Sequence, residues 1–169
     1  RGGARALAEH LMSLGHQDIA CVAGPQEWFE ARERVAGWRE AMDEAGLSKR
    51  APLVGSWEAR WGYVAGQALV EDGLPDAVMC ANDEVAVGLL RAFTEAGVSV
   101  PGDVSVAGFD DVPMAAYAGP GLTTVRQDFA DLGRCALEAV SRALDGEAVD
   151  TFVRPTRLVV RGSTGVSTR

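Results

Sequence analysis

Residues 77–83 read Ala77-Val78-Met79-Cys80-Ala81-Asn82-Asp83, and residues 104–111 read Val104-Ser105-Val106-Ala107-Gly108-Phe109-Asp110-Asp111. Each is a short apolar run that stops on a polar pair. Between them, residues 84–97 carry a helical pattern closed by Gly97. Strand, helix, strand in that order requires a crossover, and a right-handed crossover lays the two strands parallel. In an open parallel sheet, ligands bind beyond the carboxyl ends of the strands. Asn82, Asp83, Asp110 and Asp111 are therefore the first candidates for function.

The same alternation extends along the chain. Residues 4–14 are helical, with Leu7, Leu11 and Leu14 on one side and Gly15 as the stop. Residues 19–23 form a continuous apolar run ended by Gly24-Pro25, which reads as a buried strand. Residues 29–45 and 63–71 are helical and stop at Gly46 and Gly73, and residues 52–57 can form a strand between them. After the opening pair come an irregular stretch, residues 113–121, and a strand at 122–126. A helix at 130–144 follows, with Asp128 as N-cap and Gly146 as stop, and the last strand is at 158–161. Apolar strands alternating with helices give an α/β fold, an open, mostly parallel doubly wound sheet with helices on both faces.

Bulk properties narrow the function. With 169 residues the chain can bury a core of its own. A net charge of −8 argues against this segment gripping nucleic acid, since duplex binding draws its non-specific affinity from Lys and Arg on phosphates. No apolar run approaches the length that spans a bilayer. Three scattered cysteines, Cys21, Cys80 and Cys135, fit neither a disulfide framework nor a zinc site and read as small buried hydrophobes in a reducing compartment. The chain opens at Arg1 inside a helical pattern, which reads as the interior of a longer protein.

Catalytic patterns fail one by one. No phosphate loop or dinucleotide fingerprint is present. Residues 97–101 half-resemble a nucleophile elbow but precede a strand instead of following one. His10 and His16 flank the first helix end as surface or helix-terminal histidines. Asp110 and Asp111 are adjacent, so on a strand they face opposite sides and cannot serve one scissile bond. No catalytic residue, metal ligand or cofactor is expected.

What remains is non-covalent chemistry. Asp83 is a natural N-cap for the following helix, which leaves Asn82 facing the crevice with donors and an acceptor. Asp110 can accept two hydroxyls, whereas Asp111 is expected to bond local backbone. Arg32 and Arg34 sit on the first turns of the helix after the first strand, as solvated surface arginines or as a fork for vicinal hydroxyls. Trp57 is either core or a stacking wall for a sugar face. Gln127 and Phe129 follow a strand and add an amide and a ring.

Taken together, several stretches resemble the effector-binding region of LacI/GalR-family transcriptional regulators. They are Leu14-Gly15-His16 with Ile19-Ala20, Ala23-Gly24-Pro25, Arg34-x-x-Gly37-Trp38, Cys80-Ala81-Asn82-Asp83, Pro101-Gly102-Asp103-Val104-Ser105-Val106, Gly108-Phe109-Asp110-Asp111 and Leu122-Thr123-Thr124-Val125. They run in order over nearly the whole chain. The resemblance implies a two-lobed periplasmic-binding-protein-like fold. Residues 1–16 would end the N-terminal lobe, 17–121 would form the C-terminal effector lobe, 122–146 would cross back, and 147–169 would add the final strand and tail. The helices at 4–14 and 130–144 would then belong to an otherwise missing N-terminal lobe. By the same resemblance Arg34, Asn82 and Asp110 hold effector hydroxyls, and Trp57, Gln127 and Phe129 line the pocket. The implied whole is a cytoplasmic, sugar-responsive repressor. Its homodimer would form through the C-terminal lobe, around residues 84–96 and 113–117, and it would touch DNA only through an absent N-terminal head. An extracytoplasmic sugar-binding protein of the same fold is the alternative. Residues 27–30, Glu-Trp-Phe-Glu, depart from the family, which commonly carries small residues there.

Overall fold

The computed structural model describes residues 1–149, 151 and 153–167. Its centre is a four-stranded parallel sheet of β1 (Ile19–Ala23), β2 (Leu53–Val54), β3 (Ala77–Cys80) and β4 (Ser105–Ala107), in the order β2-β1-β3-β4. Ile19 pairs with Ala77 and Val22 with Cys80, while Ala77 pairs with Ser105. β1 and β3 are apolar throughout because both their faces are covered. Ile19, Cys21, Ala23, Ala77 and Met79 face α1 (Gly2–Ser13) and α2 (Phe29–Glu44), which pack around the fully buried Trp38 and Met42. Ala20, Val22, Val78 and Cys80 face α3 (Ala59–Asp72) and α4 (Asp83–Glu95), around Leu89 and Phe93. Cys21 and Cys80 thus lie on opposite faces, both buried, and burial pushes the Cys21 thiol up to about 12.

Three expectations change. The helix at 4–14, α1, is not part of another lobe. Ala4, Leu7, Ala8 and Leu11 are fully buried in the core of this one, beside α2. Gly37 makes that approach possible, since a Cβ there would meet the Arg1 carbonyl oxygen at 2.3 Å. The chain also stays in the lobe beyond residue 122. β5 (Thr124–Arg126) runs beside the end of β4, with Gly108 N–H on the Thr123 carbonyl at 2.9 Å and Asp110 N–H on the Val125 carbonyl at 2.8 Å. β6 (Arg157–Val159) pairs antiparallel with β5 and not with the main sheet. Finally, the stretch at 113–121 is not wholly irregular: Pro113–Tyr117 is a 3₁₀ turn pinned by buried Ala115.

Beyond β5 the character changes. α5 (Phe129–Leu144) is capped by the Asp128 carboxylate on Asp131 N–H, as its sequence implies, yet Cys135 is its one buried residue among those described. Leu137 and Leu144 are 72% and 83% exposed. The tail returns to the lobe instead. Ser163 accepts from Thr123 N–H at 2.8 Å and donates to the Val106 carbonyl at 2.6 Å. His16, read as a surface or helix-terminal histidine, follows the end of α1 and is buried beneath the tail, its Nε2 2.9 Å from Ser105 Oγ and 3.0 Å from the Gly165 carbonyl oxygen.

Candidate functional site

The strand order places the reversal of the winding between β1 and β3, the position where open α/β sheets form their crevice. The loop after β1 and the Ala81-Asn82 pair after β3 flank it. Next to them, β4 runs out into Asp110-Asp111. Both aspartates leave the strand with positive φ, 107° and 56°, backbone that residues with a Cβ seldom adopt. The turn sends the two carboxylates to different partners.

Asp110 meets Arg34 and Gln127. Arg34 Nη2 donates to Asp110 Oδ1 at 3.1 Å, and Gln127 Nε2 donates to the same oxygen at 2.7 Å. Among the described residues Oδ2 receives no hydrogen bond. The Arg34 Nη1 donates to the Ala81 carbonyl, so one guanidinium ties the end of β3 to the end of β4. Its plane lies over Phe109, 4.1 Å to the ring centre, and 5.3 Å from the centre of Trp57. Burial pulls Arg34 below its ordinary pKa, with the Asp110 charge and hydrogen bond opposing, and the group keeps its charge. The sequence left Arg34 open between surface and site; its side chain is only 12% exposed.

Asn82 and Asp83 do not take the roles their sequence suggests. Asn82, not Asp83, is the N-cap of α4: its Oδ1 accepts from Val85 N–H at 2.8 Å. Its Nδ2 donates to the Trp57 carbonyl at 3.0 Å, holding the loop that carries that ring. Asp83 is the first helical residue and is buried. It accepts from Val112 N–H at 2.8 Å and from the Thr124 hydroxyl at 2.6 Å, clamping the turn after β4 to β5. Burial raises its pKa to about 6 against those two hydrogen bonds, with the charges of Asp110 and Asp111 adding to the rise. Asp111 does not bond local backbone as expected. It accepts from Arg161 at 2.6 Å and from Arg126. Burial pushes its carboxyl up, but the two arginines outweigh that and leave it below its ordinary value.

Trp57 stands on the far side of Arg34, half-buried, and its ring lies against Gly24, where an added Cβ would come within 2.7 Å of it. Trp28, not among the residues the sequence singled out for binding, makes an edge contact with it at 6.3 Å between ring centres. Phe129 opens α5 and is 53% exposed. The structure thus brings Arg34, Asp110, Gln127, Trp57 and Asn82 into one connected set. Arg34 lies between Trp57 and Asp110, Gln127 reaches Asp110, and Asn82 joins through the Trp57 backbone. Among the described residues no ring contact ties Phe129 into it. No group of three or more His, Cys, Asp or Glu among the described residues is placed to hold a metal ion.

Known proteins share this architecture and much of the sequence. The family described as periplasmic binding protein-like domain matches residues 8–164. The lactose operon repressor of Escherichia coli (strain K12) is 38% identical over 164 residues, 96% of this chain and 46% of the repressor. A crystal structure of the Lac repressor bound to ONPG in the repressed state is similar with a TM-score of 0.92 at 38% identity, over 96% of this chain and 50% of that one. A LacI family transcriptional regulator from Mycobacterium smegmatis is similar with a TM-score of 0.91 at 32% identity, over 99% of this chain and 64% of that one. The chain spans about half the length of the curated relatives it matches. These relatives are transcriptional regulators and not enzymes, and no described helix here is long and apolar enough to cross a membrane.

Proposed function

From the premise that this chain belongs to the periplasmic binding protein-like domain family, in its LacI/GalR branch, we propose that it is the effector-sensing and dimerisation part of a DNA-binding transcriptional repressor. The observation that carries this is the Arg34–Asp110–Gln127 cluster at the carboxyl edge of the sheet. One carboxylate oxygen is committed to positioning bonds and the other is left to accept a hydroxyl. The guanidinium beside it is held rigid between two rings. Such an arrangement suits a polyol: oriented hydrogen bonds with an apolar wall alongside. The effector is read as a sugar. Asn82 contributes chiefly by fixing Trp57 and keeps one amide hydrogen for the ligand, and Phe129 adds a ring from α5.

The lobe supplies half of a clamp. α5 projects its apolar residues away from this core, as a helix does when it completes another layer. The effector would bridge the two lobes and shift the population between two lobe arrangements. That shift sets the spacing of two DNA-reading heads in a dimer. The shift requires differential affinity for the two arrangements and not tight binding alone. No catalysis, cofactor or membrane is involved, DNA is touched only outside these residues, and the protein works in the cytoplasm. Dimer contacts are placed on this lobe through α4 and the Pro113–Tyr117 turn, where Met114 and Tyr117 are exposed. The test uses the protein at its natural full length. An operator-binding assay should lose or gain affinity on adding the effector, and light scattering should give a dimer. A monomer at high concentration, or DNA binding indifferent to every ligand that binds, would contradict the proposal.

A further inference from the structure

Trp28 and Trp57 form an aromatic corner that extends the Asp110 cluster outward, and Trp28 lies outside the core. Trp28 is 54% exposed and meets Trp57 at an interplanar angle of 87°. Trp57 packs on Gly24 and beside Arg34, and the loops that carry both rings are tied by polar bonds. Arg32 Nη1 donates to the carbonyls of Gln26 and Glu27, each at 3.0 Å, which ties down the loop that leads into Trp28, the N-cap residue of α2. Asn82 fixes the backbone of Trp57. Fixing exposed rings in advance lowers the ordering cost of whatever lies against them. Along the edge, contacts run Trp28 to Trp57, Trp57 to Arg34, and Arg34 to Asp110. Exposed Glu27 and Glu30 flank the corner, and the Glu30 charge acts on Arg34. Carboxylates on that rim disfavour an anionic ligand.

We propose that Trp28 and Trp57 make a second-ring subsite, so that the effector is a neutral glycoside of at least two rings. One ring is hydrogen-bonded at Asp110, and the next has its C–H face against the indoles. Trp28 is then the residue that sets selectivity for the longer sugar. The inference rests on the reading of the Arg34–Asp110 edge as an effector site, and its test separates the two.

The full-length protein is titrated calorimetrically with D-glucose against maltose and D-galactose against lactose. Wild type, Trp28→Ala, Trp28→Phe and Asp110→Ala are compared, with a melting curve for each. The expected result is a preference of roughly tenfold or more for one disaccharide over its monosaccharide, the scale of one stacking contact. Trp28→Ala should collapse that ratio toward parity, Trp28→Phe should keep part of it, and Asp110→Ala should abolish both affinities. An unchanged ratio in Trp28→Ala, with or without a lowered melting temperature, would overturn the subsite while the effector site at Asp110 stands. Equal wild-type affinity for both members of each pair would do the same. No binding by any of these sugars, or binding indifferent to Asp110→Ala, would overturn the effector reading and the subsite with it.

Discussion

Asp83 shows how one residue can carry structure under a site that looks purely functional. It is buried and bridges the turn after β4 to β5 through Val112 N–H and the Thr124 hydroxyl. Asp83→Ala should cost about 2–3 kcal/mol in chemical denaturation, because it strands two buried donors. Asp83→Asn should cost clearly less, since its amide can accept from Val112 and donate to Thr124. The titrating groups pull in opposite directions with pH. His16 has a folded pKa below its ordinary 6.5: burial lowers it, and the Gly165 carbonyl and Asp76 only partly oppose. Its Nδ1 has no partner among the described residues. The unfolded chain therefore binds more protons as pH falls below 6.5, and stability drops there. Asp83, raised from 3.8 to about 6, does the reverse: between those values the folded state holds the extra proton and stability falls as pH rises. The melting temperature should decline from pH 7.5 to 6, and His16→Gln should flatten that decline. An undiminished decline in His16→Gln would exclude His16 as its source. The sequence exposed the polar quartet but not its division of labour. A cap and a first-turn acid differ by one position, and only the β5 neighbour decides which of Asn82 and Asp83 faces inward.

Helices and strands were largely legible as elements because their apolar periods are strong, whereas their partners were not. The period of α1 shows which face is buried without saying against what, so membership of this lobe had to come from Gly37 and the α2 contact. The tightest pairing, α3 on α4, was also unannounced. A Cβ at Gly62 would stand 1.8 Å from the Val85 carbonyl oxygen, and one at Gly88 would stand 1.7 Å from that of Ala59. Each clash is with backbone, so neither can be relieved by a rotamer change. Gly88→Ala should destabilise by about 3 kcal/mol despite raising helix propensity. A neutral or stabilising effect in urea denaturation would mean that the helices are not this close. α5 tells the opposite story. The resemblance assigned it to a missing lobe, and apart from Cys135 its described apolar residues lie mostly exposed. In the isolated 169-residue chain its amides should exchange much faster than those of α4, as expected for a helix with little buried surface. Equal protection would place α5 in the core.

At the scale of the molecule, the doubly wound order brings the ends of β1, β3 and β4 to one edge, and the polar chemistry gathers there. Arg34, Asp110, Trp57 and Gln127 could be named residue by residue from the sequence through a resemblance, whereas the place of Phe109 under the guanidinium could not. The bonds that pre-orient it could not, because the partners lie up to 76 positions apart. Asp110 is the polar centre of the proposed sugar site. It is tested most directly by calorimetric titration of the tightest-binding sugar from the panel into full-length wild type and Asp110→Ala at matched stability. The account expects micromolar-scale binding weakened by about 100-fold or more, as when a charged hydrogen-bonding partner is removed from a part-buried site. Binding of equal affinity in the two proteins would contradict it.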